Sequence, residues 1–191
     1  QGEGGVNPLD VGYVQAVAKL CADKDWLLLI DEVQTGVGRT GTLFAYQQFG
    51  VQPDVVSFAK GIAGGLPVGG FLPNEKCRAV LGPGDPLGAA GGCVVLDTMT
   101  PEFLEQVKAK GQYLRDGIAA LNSPCVSGVR GMGLMIGVGV QGMTHRELKD
   151  KLMAAGLLTL TAGKDTLRLL PPLVISREEM DKGLPIMAQV M

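Results

Sequence analysis

The sequence predicts an α/β protein, with a wound α/β layer over residues 1–98 and a smaller α+β part over residues 99–191. Three observations predict it. Short strand-like runs at 26–30, 54–58 and 68–72 alternate with helical and glycine-rich stretches. Glycine is abundant, 29 of 191 residues, without a repeat period, which points to tight strand-to-helix turns and to backbone lying close to a ligand. The second half carries three helix start signals with short apolar runs between them.

Taken in order, residues 10–22 read as an amphipathic helix, because Val14, Val17, Ala18 and Cys21 fall on one face. The apolar run 26–30 fits a strand buried on both faces. A polar, glycine-rich turn follows at 35–41, then a helical turn at 45–49. Residues 54–58 and 68–72 are the next strands, and parallel strands need crossover connections, hence the wound layer. Thr100 is an N-cap, Pro101 takes the first helical position and Glu102 puts an acid in the first turn. That helix runs to about Leu121, where Asn122-Ser123-Pro124 stops it. Thr144 with Glu147, and Ser176 with Glu179, are capping boxes. Apolar runs at 134–140, 157–160 and 167–170 lie between the helices, the last ended by Pro171-Pro172.

Bulk properties exclude several functions. The net charge of −2 has no basic block, which argues against a nucleic-acid partner. No apolar run approaches the ~20 residues that span a bilayer. Residues 1–5 have neither the charged start nor the apolar stretch of a signal peptide. Cys21, Cys77, Cys93 and Cys125 are widely spaced and His145 is the single histidine, so free thiols in a reducing cytoplasm fit better than a metal site.

Two residues carry the chemistry. Asp31 directly follows the apolar run 26–30, and Lys60 ends the run 54–59 and enters the glycine-rich segment 61–65. An acid and a lysine at the ends of neighbouring buried strands suit pyridoxal phosphate: the lysine joins the cofactor aldehyde, and the acid keeps the pyridine nitrogen protonated. Burial of Lys60 would lower its pKa and make it a nucleophile near neutral pH. The competing readings are a helix cap or surface acid for Asp31, and a solvated surface lysine for Lys60. Glu32 reads as structural, His145 as a solvated helix residue, and Met132 and Met135 as core filler. Arg39 and Arg130 have turn contexts and no assigned role.

The run from Leu28 to Gly41, which includes Asp31-Glu32-Val33-Gln34-Thr35-Gly36, continued by Pro53-Asp54 through Lys60 to Gly65, resembles the signature of class III aminotransferases, pyridoxal-phosphate enzymes of fold type I. Residues 1–6, 38–46, 129–137 and 167–173 are similar to one subgroup, the acetylornithine-type enzymes. The resemblance implies the C-terminal part of the large wound domain over 1–98 and a small α+β domain over 99–191. It also implies roles. Lys60 would bind the cofactor and shuttle the proton, and Asp31 would pair with the pyridinium nitrogen. Val33 would pack on the ring, and Gln34 would lie near the phenolic oxygen. Arg168 would grip a substrate α-carboxylate. Glu3 would pair with Arg168 when no α-carboxylate is present, so that one site admits both an amino-acid donor and 2-oxoglutarate. A homodimer is implied.

The sequence departs from the family in two places. The family has a large segment before the stretch matched by residues 1–5, carrying the loop that cradles the cofactor phosphate and an aromatic that stacks on the ring. It also has a short segment between the stretches matched by Asp85 and Pro86. The sequence is therefore expected to be an incomplete view of the enzyme. The expected activity is transamination of N2-acetylornithine with 2-oxoglutarate in arginine biosynthesis. The alternatives are another class III ω-aminotransferase, acting on ornithine, succinylornithine or 4-aminobutyrate, or an inactive fragment of such an enzyme.

Overall fold

The computed structural model describes residues 1–78 and 86–191. The expected gap between Asp85 and Pro86 lies outside the described residues. The chain divides into two compact units, one of Leu9–Leu104 and one of Gln1–Pro8 with Glu105–Met191. This division differs from a boundary at 98/99, because the first eight residues belong with the C-terminal segment. Their partners lie there: Arg130 holds Gly5, and Gly163 donates to the Glu3 carbonyl.

In the Leu9–Leu104 unit, helix α1 (Val11–Asp23) starts at Asp10, whose carboxylate accepts from Tyr13 N at 2.9 Å. Strand β1 (Leu29–Asp31) pairs in parallel with β2 (Val55–Phe58), which pairs antiparallel with β3 (Gly70–Pro73). The crossover between β1 and β2 contains a 3₁₀ turn at Ala45–Phe49 instead of an α-helix. Burial of β1 on both faces is not what the structure shows. The strand is only Leu29–Asp31, and Trp26, before it, is 60% exposed and Leu29 64%, because nothing among the described residues covers them.

A helix the sequence reading missed, α2 (Pro86–Thr98), follows. Its first half is small residues with no amphipathic stripe, so periodicity is silent there. Close packing is their use: a Cβ on Gly91 would sit 3.3 Å from Leu66 and 3.5 Å from the Ala63 carbonyl. Helix α3 (Pro101–Ala120) begins at Thr100, whose hydroxyl accepts from Phe103 N, and ends one residue short of the expected stop.

The second unit is built on an antiparallel sheet of β4 (Val126–Met132), β5 (Met135–Val140), β6 (Leu160–Ala162) and β7 (Thr166–Leu169), in the order β4-β5-β7-β6. All six residues of β5 are buried, and Ile136, Val138 and Leu167 are fully enclosed. Arg130 lies within strand β4, not in a turn; the turn is Gly133-Leu134, which joins β4 to β5. Helices α4 (His145–Ala154) and α5 (Arg177–Val190) open on complete capping boxes at Thr144/Glu147 and Ser176/Glu179.

Candidate active site

Two sets of polar residues stand out, one in each unit. In the first, β1 and β2 run parallel with Asp31 opposite Ser57. Asp31 is the last residue of β1, and Lys60 opens the 3₁₀ turn just past β2. Both therefore lie at the carboxyl ends of the parallel strands, where open α/β sheets bind ligands. Asp31 Oδ1 accepts from Val33 N at 2.9 Å and from Ser57 Oγ at 3.2 Å. Its Oδ2 accepts no hydrogen bond among the described residues. Ser57 carried no signal in the sequence, because only strand register places it beside Asp31.

Lys60 has φ 53°, a left-handed conformation that is rare for a residue with a side chain and tends to mark functional sites. Val37, Ile62 and Ala63 form a buried cluster, with Phe58, Val68, Val95 and Met99 packed against it. The side chain is not buried as the sequence suggested. Lys60 is exposed, and among the described residues its side chain makes no hydrogen bond or ion pair.

Val33 and Gln34 are half-buried in the turn leaving β1. Glu32 is 1% exposed, and its carboxylate accepts from Thr35 Oγ1 and, at 2.8 Å, from Tyr46 N. A buried carboxylate satisfied by fixed donors holds backbone in place. Glu32 thus ties the loop after Asp31 to the turn at Ala45–Phe49, in keeping with a structural reading.

In the second unit, Arg168 of β7 donates from Nη1 to Glu3 Oε1 at 2.8 Å. The arginine side chain is 9% exposed and the glutamate 69%. The pair joins residues at opposite ends of the sequence. It presents a nearly enclosed guanidinium, suited to a planar carboxylate, under a carboxylate that is mostly in solvent.

The donor set of the first unit fits pyridoxal phosphate. The cofactor needs an amine that can attach to its aldehyde and a carboxylate that can accept from its protonated ring nitrogen. Lys60 offers an amine and Asp31 Oδ2 a carboxylate oxygen of these two kinds. Among the described residues no group of three His, Cys, Asp or Glu side chains is arranged to hold a metal ion.

Comparison with known proteins gives the family. The class-III aminotransferase family model matches residues 1–191, and the chain belongs to that family, whose members are pyridoxal-phosphate enzymes. An acetylornithine aminotransferase of Haemophilus ducreyi is 47% identical over 200 residues, covering 100% of this chain and 50% of that relative. The crystal structure of N-acetylornithine aminotransferase from Stenotrophomonas maltophilia K279a superposes with a TM-score of 0.93 at 41% identity, covering 100% of this chain and 53% of that one. Ornithine δ-aminotransferase of Plasmodium falciparum gives a TM-score of 0.90 at 32% identity, covering 100% and 53%. The chain thus spans about half the length of the relatives it matches. Among the described residues no helix is long and apolar enough to cross a membrane.

Proposed function

We propose that this chain carries the cofactor-linking and carboxylate-binding groups of an aminotransferase that moves the ω-amino group of N2-acetylornithine to 2-oxoglutarate, a step of arginine biosynthesis. The observation that carries the reading is the placement of Asp31 and Lys60 at the carboxyl ends of adjacent parallel strands, within a chain of this family. The acyl preference is supported by curated relatives named acetylornithine aminotransferase at 38–47% identity; among solved structures, acetylornithine enzymes at 41% and 31% bracket an ornithine enzyme at 32%.

When bound, pyridoxal phosphate supplies an electron sink for the carbanion at the substrate carbon. Lys60 Nζ is the attachment point and the base that holds the proton lost by that carbon. Asp31 Oδ2 would accept from the ring nitrogen and keep it protonated, while Ser57 and the Val33 amide fix the carboxylate's angle. Val33 would pack on a ring face of the cofactor and Gln34 would lie near its phenolic oxygen. Arg168 binds the α-carboxylate of glutamate or 2-oxoglutarate. Glu3 neutralises Arg168 when the bound donor has no carboxylate there. The unit Leu9–Leu104 corresponds to the C-terminal part of the large cofactor domain, and residues 105–191 to the small domain. The working form is a cytoplasmic homodimer.

Steady-state kinetics with 2-oxoglutarate test the substrate. The expected order in kcat/KM is N2-acetylornithine above ornithine and 4-aminobutyrate. A preference for free ornithine would move the reading to an ornithine enzyme, and no transamination of any donor by the cofactor-saturated protein would favour an inactive fragment.

A further inference from the structure

The sheet row that holds Arg168 holds a second arginine. Arg130 of β4 pairs with Gly137 of β5, and Gly137 pairs with Arg168 of β7. Residues directly opposite across a sheet face the same side, so two arginines flank a glycine. The space above the glycine is filled by the N-terminal segment. A Cβ on Gly137 would come within 2.8 Å of Val6 Cβ and 3.3 Å of the Gly5 carbonyl.

Arg130 closes this slot. Its Nε and Nη2 both donate to the Gly5 carbonyl, at 3.0 and 2.6 Å, and Nη2 also donates to Thr166 Oγ1 at 2.7 Å. Thr166 is fully buried, so it gives the guanidinium a fixed bearing. On the other side Gly163 N donates to the Glu3 carbonyl at 2.8 Å, and a Cβ there would stand 3.0 Å from the Gly4 carbonyl. The main chain is thus held at residue 3 and again at residue 5. The Glu3 side chain is the part left in solvent.

We propose that Arg130 is a positioning residue: by pinning the main chain at Gly5 it keeps the Glu3 carboxylate on Arg168 as a built-in competitor of dicarboxylate substrates. Release of Arg168 is then a rotation of the Glu3 side chain, without displacement of the segment. This rests on Arg168 being the carboxylate-binding residue. Loosening the clamp makes Glu3 a weaker competitor, so a dicarboxylate binds more tightly. A role confined to holding the fold together predicts the opposite sign.

Calorimetric titration of the cofactor-loaded protein with 2-oxoglutarate tests this. Glu3→Ala is expected to tighten binding about fivefold, the scale of losing one partly exposed ion pair. Arg130→Lys keeps the cation but forfeits the two-nitrogen grip on Gly5, and is expected to tighten binding about twofold on the same scale. The double variant is expected to match Glu3→Ala alone. Thr166→Val, which removes one of the guanidinium's two partners and leaves its bonds to Gly5, is expected to act in the same direction and serves if Arg130→Lys does not fold. Weaker or unchanged binding in Arg130→Lys or Thr166→Val, or an effect that adds to Glu3→Ala, overturns the proposal while leaving Arg168 in its role. A Glu3→Ala protein with no gain in affinity overturns the underlying reading of the Glu3–Arg168 pair.

Discussion

The two units prepare their polar groups in opposite ways. In Gln1–Pro8 with Glu105–Met191, the sheet carrying Arg168 is closed: every residue of β5 is buried, and the guanidinium is 9% exposed with its counter-ion in place. In Leu9–Leu104, the sheet carrying Asp31 is open: Leu29, Phe71 and Leu72 are 64%, 48% and 51% exposed, and both Asp31 and Lys60 face solvent. The lesson concerns what a chain can preorganise alone. Backbone geometry is set in both, through the strained Lys60 and the Ser57–Asp31 contact in one and the Arg130 clamp in the other. Desolvation, which strengthens charged interactions, is nearly complete around the Arg168 guanidinium and slight around Asp31 and Lys60.

That contrast can be broken at several scales. Asp31→Asn should cost the largest factor, on the order of 10²–10³ in turnover, the usual loss when a group stabilising developing charge is neutralised. Reductive trapping at Lys60 should persist in that variant, and its disappearance would mean that Asp31 acts on attachment. Ile136→Ala in the closed sheet should lower unfolding free energy by about 2–5 kcal/mol, whereas Leu29→Ala in the open one should stay within about 0.5 kcal/mol. Denaturant midpoints decide this, and equal losses would erase the distinction between the sheets. Thr144→Ala should remove about 1 kcal/mol by opening the α4 capping box.

The smallest effect is on acid stability. Asp54 is held below the ordinary carboxylate range, first by the hydrogen bond from Leu28 N, against a burial cost, with help from Asn74 and Lys76. A carboxyl with a lowered folded pKa stabilises fully above the unfolded value, about pH 4, and the gain fades as pH falls through the lowered value. The acid limb of the stability curve should therefore flatten slightly in Asp54→Asn.

Much of this was legible in the sequence, and the failures share a cause. The caps at Thr100, Thr144 and Ser176 were readable because capping is a contact within a few residues. Asp31 and Lys60 were readable because short strands and glycine-rich turns mark strand ends. Helix α2 was missed because its small residues serve packing and carry no stripe. Arg130 was read as a turn residue because glycines on both sides hide a strand whose pairing with β5 is non-periodic in sequence. Ser57 and the Arg130 clamp depend on register and on contacts across 125 residues, which no local pattern encodes. The exposure of β1 and Lys60 was missed because an apolar run says a strand could be buried, not that anything covers it.

The central claim is that Lys60 carries the cofactor. Incubation with pyridoxal phosphate, reduction with borohydride and peptide mapping tests it most directly. A single pyridoxyl adduct on the peptide containing Lys60, abolished in Lys60→Ala, is the result this account predicts. An adduct spread over surface lysines, or none at Lys60 with saturating cofactor, would contradict it.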